Sequence, residues 1–292
     1  MEKSKVYYYK EVSSENLVKA LKELGKELPG KVAVKVHSGE EGNQNYLRPE
    51  FMKPAIDYLK GTVVECNTAY AGERNNTKKH LKTIEKHGWN IFDFDLMDAE
   101  GPDMVLSIKE GTHLKENYVG KNLKNYDSVL VLSHFKGHPM GGYGGALKQL
   151  SIGFASSEGK SWIHSAGHTK NQKLVWLNLP KQDDFLESMA EAASSVVDYF
   201  KGNMIFINVM ANMSVDCDCC SDAEDPCMKD MGVLISTDPV AIDQACIDIV
   251  ENSDDPGKEH FLERVNSRNG KHTIEAAEKL GVGSREYELI EK

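Results

Sequence analysis

The 292-residue chain carries 35 Lys and Arg against 45 Asp and Glu, for a formal net charge of -10, and 40% of its residues are hydrophobic. That acidic balance argues against a general nucleic-acid binder, whose affinity rests on neutralising phosphates, although a local basic cluster can still hold a small anion. The sequence offers no apolar run long enough to span a membrane, and the opening MEKSKVYYYKEV lacks a signal-like stretch, so a cytoplasmic location without a membrane partner is expected.

Strand and helix patterns alternate from the start. Lys5 to Tyr9 reads as a strand, Ser13 to Leu28 as a helix closed by Pro29-Gly30, and Lys31 to His37 as a second strand. Pro49 to Lys60 follows as a helix, Thr62 to Cys66 as a strand, Thr77 to His87 as a helix, and Asn90 to Phe94 as a strand. Met104 to Tyr118 reads as a hairpin turning at Lys109-Glu110-Gly111-Thr112. The run Val129-Leu130-Val131-Leu132 does not alternate, which marks a strand of a parallel sheet buried on both faces. Asp183 to Lys201 is helical by apolar spacing, and Asn203 to Val209 and Gly232 to Ser236 are strands. Asp238-Pro239 opens a helix as N-cap and first-turn proline, and Lys258 to Leu280 supplies one or two amphipathic helices. The expected class is α/β, with a mixed, largely parallel sheet and helices on both faces. It forms either one unit over 1–292 or two lobes, about 1–170 and 171–292, with the site between them.

Ligands of open α/β sheets bind beyond the carboxyl ends of strands, where Ser133 to His164 should lie. In that segment Gly142, Gly144 and Gly145 let backbone amides approach an anion, and a helix from Ala146 would aim its positive end at it. The glycines match neither a Walker loop nor the dinucleotide fingerprint, and the plainer reading is a tight packed turn. Two other loops share the strand-end position. Asn43 to Pro49 offers Asn45 and Arg48, the latter suited to a bidentate pair with phosphate or carboxylate, and Tyr70 to Thr77 offers Glu73 or Arg74.

Cys217, Cys219, Cys220 and Cys227 fall within eleven residues. In a reducing compartment such density favours zinc or an iron-sulfur centre. Adjacent Cys219 and Cys220 rarely reach one metal together, so three ligands plus another group is the easier construction. Asp216, Asp218, Asp222, Glu224 and Asp225 oppose thiolate formation unless a cation is bound, and inert thiols in a surface loop are the competing reading. Cys66 and Cys246 read as buried small hydrophobes.

Asn45-Tyr-Leu-Arg-Pro, Ser133-His-Phe-Lys-Gly-His with Gly-Gly-Tyr-Gly-Gly-Ala-Leu-Lys, Asp216-Cys-Asp-Cys, and Thr237-Asp-Pro-Val-Ala-Ile-Asp-Gln-Ala together resemble the domain-of-unknown-function family three-six-two. Its members are commonly labelled uncharacterized iron-sulfur center proteins. Many carry a ferredoxin-like insert with two four-cysteine runs after the position of His164, whereas Ser165 to Gln182 contains no cysteine here. A fainter likeness joins His138, Gly-Tyr-Gly-Gly-Ala-Leu-Lys148 and His164 to the catalytic segment of the nickel-pincer lactate racemase family. That resemblance implies a nucleotide-derived cofactor tethered to Lys148, nickel ligated by His164, and His138 as acid/base. It implies phosphate binding at Asn45 and Arg48, although an aspartate is expected where Asn45 stands. Glu73 occupies the place of the racemase's second acid/base histidine, so a near-neutral pKa is lost there.

The expected function is binding of a small anionic ligand or phosphate-bearing cofactor with a metal ion, whether iron-sulfur, zinc or nickel. As an enzyme it would be an isomerase or redox enzyme acting next to a carboxylate, with Lys148 and Arg48 holding the anion and His138 and Glu73 moving protons. The alternative is a non-catalytic iron-sulfur or zinc carrier on Cys217, Cys219, Cys220 and Cys227.

Overall fold

The computed structural model describes residues 3–101, 103–177 and 179–292. In chain order, β1 (Ser4–Tyr9), α1 (Ser14–Leu24), β2 (Val32–Lys35), α2 (Pro49–Leu59), β3 (Thr62–Glu65), α3 (Thr77–Lys86) and β4 (Phe94–Leu96) build one side. The hairpin of β5 (Met104–Ser107) and β6 (Glu116–Val119) precedes β7 (Ser128–His134), a small hairpin of β8 (Lys136–His138) and β9 (Gly142–Gly144), and the helices α4 (Ala146–Lys148) and α5 (Ser157–His164). The chain continues through α6 (Gln182–Phe200), β10 (Met204–Met210), β11 (Gly232–Ser236), α7 (Pro239–Glu251), α8 (Lys258–Ser267), α9 (His272–Lys279) and β12 (Tyr287–Glu291).

Eight strands form one sheet in the order β12-β1-β11-β10-β7-β2-β3-β4, so both halves of the chain contribute to it. From β10 to β4 every pairing is parallel, while β11 runs antiparallel to both of its neighbours. The apolar run of β7 lies in the middle, and successive residues face opposite sides. Val129 and Val131 pack with Ala33, Phe206, Ala193 and Ile247 under α6 and α7, whereas Leu130 and Leu132 pack with Val34, Ile207, Leu17 and Met52 under α1 and α2. Helices therefore cover both faces, as the pattern predicts, and each fully buried aliphatic side chain contributes about 1.5–3 kcal/mol.

Where boundaries differ from expectation, a local contact decides. The first helix stops at Leu24 because Gly25 turns left-handed at φ 64 and donates its amide to Leu21 O. Around fully buried Trp89 the chain makes a single 3-10 turn, which moves the next strand on to Phe94–Leu96. The C-terminal residues 287–291 have no apolar alternation, yet they add a parallel edge strand to β1, with Val6 opposite Leu289. Among the described residues no helix is long and apolar enough to cross a membrane.

Candidate functional site

The four central parallel strands β3, β2, β7 and β10 end side by side, and the loops that leave them enclose a cavity of about 260 Å3. Its walls include His37, Arg74, His138, Lys148, His164 and Cys219. The glycine-rich segment and the cysteine loop, which the sequence offers as rival sites, thus meet in one place.

The cysteine loop follows β10 and is pinned by its aspartates. Asp218 pairs with Lys136 Nζ at 3.0 Å and accepts from His134 Nδ1 at 2.9 Å, and Asp216 pairs with Arg264 at 3.0 Å. His134 also donates through Nε2 to Ala211 O at 2.5 Å, so both of its ring nitrogens face acceptors. The segment is a tight turn, in which Cys220 N donates to Cys217 O at 2.9 Å. Asp216 and Asp218 are paired with the scaffold, although Asp216 still works against ionisation of Cys220 and Glu224 against that of Cys227, and Cys217 and Cys219 are left to meet His138. Ligand atoms of His138, Cys217 and Cys219 lie within 4.8 Å of one another. From the other side Asn43 Nδ2 donates to Cys220 O at 2.8 Å, and Asn45 Nδ2 donates to Glu224 O at 2.8 Å.

Lys148 Nζ donates to Cys217 Sγ at 3.3 Å, and so does the Cys219 amide, also at 3.3 Å. Burial opposes ionisation of Cys217, but Cys219, the Lys148 ammonium and His138 together hold its thiol well below the usual range. Cys219 is driven the other way, chiefly by its hydrogen bond to Cys217, so the negative charge resides on Cys217. Burial also works against the Lys148 ammonium, yet Cys217 and Cys219 outweigh it and raise its pKa. A Cβ on Gly144 would approach Lys148 Cδ to 3.3 Å, so that glycine gives the lysine room to lie across the hairpin.

Two of the three cavity histidines, His138 and His164, are held in opposite tautomers by backbone groups. His138 Nδ1 accepts from the amides of Met140 (3.2 Å) and Gly141 (2.8 Å), which leaves hydrogen on Nε2. His164 Nδ1 donates to Lys160 O at 2.7 Å, which leaves Nε2 with a bare lone pair. Burial pushes both rings down to about 4, reinforced at His138 by the Lys148 charge, so both are neutral near pH 7. His164 is fixed further by stacking on Phe185, with ring centroids 5.0 Å apart, beside Trp176.

Lys35, Lys136 and Lys160 join Arg74 and Lys148 in the wall, a concentration of cations that sequence reading missed except at Arg74 and Lys148. Arg74 is anchored by Glu65 at 3.3 Å and Glu40 at 3.4 Å. Among the described residues, Lys35 and Lys160 have no carboxylate within 4.0 Å; Lys35 instead donates to Val36 O and to Gln149 Oε1, the latter at 3.0 Å, and Lys160 donates to Ala155 O at 2.5 Å. Burial lowers Lys35 to about 8 and lowers Lys160 as well. The readable signal was Lys35 itself, a lysine inside the apolar strand Val32-Ala-Val-Lys-Val36.

Other candidates lie off the cavity wall. Glu73 turns to solvent and pairs with Lys79 at 2.9 Å, and its neighbour Arg74 faces inward in its place. Arg48 is exposed, donates to Gln44 O at 2.9 Å and covers the Tyr46 ring, while Asn45 serves the loop contacts given above. Gly142, at φ +80, seats the hairpin against Gly270. Cys220 reaches the wall, but Cys227 donates its thiol to Met213 O at 3.3 Å and lies outside the sulfur group. The α4 amides expected to face an anion are taken within the protein. Asp243 accepts from Ala146 N (2.8 Å), Leu147 N (3.0 Å), Asn208 Nδ2 (2.7 Å) and Tyr143 OH (3.1 Å).

No curated protein matches the chain. Two solved structures are similar to it. The lactate racemase apoprotein from Thermoanaerobacterium thermosaccharolyticum shares 14% identity at a TM-score of 0.42, over 70% of this chain and 50% of that one. A protein from Thermotoga maritima solved by a structural genomics consortium shares 13% identity at a TM-score of 0.44, over 91% of this chain and 59% of that one. The chain therefore spans between half and three-fifths of the length of these two. The model of the domain of unknown function DUF362 matches residues 32–248, well over half of the sequence. On that match the chain belongs to the DUF362 family.

Proposed function

We propose that the cavity is the active site of an enzyme that moves a proton at carbon next to a carboxylate, in a small anionic substrate, beside a soft metal ion. The observation that carries this reading is the opposed tautomer pair: His164 Nε2 can take a proton and His138 Nε2–H can return one. Neighbouring ammonium groups stabilise the charge that develops on the substrate when its proton leaves.

The donor set suits a soft cation through sulfur. Cys217 and Cys219 converge, and the surroundings of Cys217 favour its ionised form. His138 as held presents N–H rather than a lone pair, and the one free lone pair of His164 serves as the proton acceptor, so the ligands this chain would supply are the two sulfurs. When bound, the metal would supply Lewis acidity at the substrate oxygen or a redox function. Glu73, Asn45 and Arg48 have no part in this reading. With the Cys227 thiol turned to Met213 O, a carrier built on all four cysteines is the less favoured alternative.

Metal content of anaerobically purified protein, with NMR detection of solvent deuterium entering 2-hydroxy and 2-amino carboxylates at C2, tests the proposal. About one metal per chain is expected, lost in Cys217→Ser. His138→Gln and His164→Gln should each cut exchange by roughly a hundredfold or more. Absence of both metal and exchange in the parent protein would overturn the reading.

A further inference from the structure

The far end of the cavity has a chemistry of its own. Lys35 and Lys160 belong to one electrostatic neighbourhood with Glu65, Cys66 and Arg74, whereas Lys148 belongs to another with Cys217, Cys219 and Asp218. Lys148 and Gln149 are consecutive on a helical turn and so point in different directions, the lysine to sulfur and the glutamine to Lys35. Two buried polar atoms on the wall have no partner among the described residues, Gln149 Nε2 and Thr68 Oγ1, although their residues are only 7% and 4% exposed. An ammonium group carries three N–H donors. Lys35 has two protein acceptors and Lys160 one, so with the Gln149 amide and the Thr68 hydroxyl the surplus at this end is almost wholly of donors.

Buried donors without acceptors cost free energy unless something accepts from them, and two buried ammonium groups cost more when the carboxylates around them, Glu65 and, for Lys160, Asp98, form no ion pair with them. Thr68 is not free to turn away. Its amide donates to Arg74 O at 2.9 Å and its carbonyl accepts from Ser157 Oγ at 3.1 Å. Lys35 is equally confined, since a Cβ at Gly153 would come within 2.8 Å of its Cε. Glu65 is held at 3.3 Å by Arg74 and at 3.2 Å by His80, and does not reach either lysine.

We infer that Lys35, Lys160, Gln149 and Thr68 form an oxyanion subsite, so that the substrate of the proposed proton transfer is a dianion whose second charged group, a carboxylate or a phosphate, lies away from Cys217 and Cys219. The inference deepens the proton-transfer reading and rests on it for the identity of the first charged group. A monoanion would satisfy one end of the cavity and leave the other with unanswered donors.

Isothermal titration of the metal-loaded protein with inorganic phosphate, succinate and acetate tests it. Succinate should bind at least about tenfold more tightly than acetate, and Lys35→Met and Lys160→Met should each weaken phosphate and succinate binding by about tenfold or more. Gln149→Glu keeps the shape and gives Lys35 a carboxylate; it should weaken both ligands comparably and serves if a lysine variant fails to fold. Phosphate tighter than succinate assigns a phosphorylated substrate, and the reverse assigns a dicarboxylate. Equal affinity for succinate and acetate, or anion binding untouched in all three variants, would overturn the subsite. Metal content and deuterium exchange measured on the same preparations separate the two ideas. If exchange is absent while phosphate binding still depends on Lys35, the proton-transfer reading fails and the subsite stands.

Discussion

Two buried polar constellations lie a few residues apart in this protein and differ in one respect. Around Asp243, four donors from β9, α4 and β10 converge on one carboxylate, and nothing is left over but the Asn208 carbonyl oxygen. Around the cavity, Lys35 and Lys160 have no carboxylate within 4.0 Å among the described residues, an amide and a hydroxyl lack partners, and the Cys217 sulfur is held against Lys148. Burial has the same cost in both places. The first region spends its polar groups on one another and fixes the glycine-rich turn; the second keeps them available for something that the chain does not supply. Incomplete pairing therefore distinguishes a site from a structural knot better than the presence of glycines or charges does.

The largest effect should come from breaking the completed set. Asp243→Ala strands four buried donors and should cost about 3–5 kcal/mol in urea unfolding; a loss below about 1 kcal/mol would mean that the turn does not depend on it. The next effect is a pH dependence. Burial raises Asp243 to about 6, against the four donors that lower it, so its protonated form is favoured in the fold relative to the unfolded chain. The stability it contributes is full below about pH 4 and is lost as pH rises through about 6, of order 3 kcal/mol in total. Unfolding measured at pH 4 and pH 7 should show wild type losing that much relative to Asp243→Asn, and a gap independent of pH would count against it. The smallest effect sharpens the contrast from the other side. Lys35→Met removes a buried ammonium that has no carboxylate partner, and stability should change by less than about 1 kcal/mol or rise slightly. A loss comparable to that of Asp243→Ala would make Lys35 a structural group and erase the distinction.

Much of this arrangement could be read from sequence, and what could not has a physical reason. The non-alternating run of β7 announced a doubly covered parallel strand, and Asp238-Pro239 announced α7, whose N-cap carboxylate accepts from Val240 N at 2.8 Å. Those signals are local. Strand β12 was invisible because its partner β1 lies at the opposite end of the chain, and Tyr287-Glu-Leu-Ile-Glu carries no periodicity of its own. The meeting of the cysteine loop with His138 and Lys148 was hidden for the same reason. Its cause is the adjacency of β7 and β10, which no spacing along the chain encodes. The role of Asp243 was missed because the expected helix end was credited to an outside anion, while the neutralising carboxylate came from nearly a hundred residues away. The inward turn of Arg74 in place of Glu73 depends on Glu65, at the end of the preceding strand β3, and on Glu40, from the loop after β2.

The segment from Asp216 to Cys219 has a practical consequence. Because Asp216 and Asp218 carry the attachment while Cys217 and Cys219 face His138, attachment and the proposed metal binding should be separable by mutation. Exchanging Cys217 or Cys219 for histidine or selenocysteine should retune the reactive wall while Arg264, Lys136 and His134 keep the backbone in register. Such a loop could change its chemistry by single replacements over time without having to rebuild the surroundings that hold it.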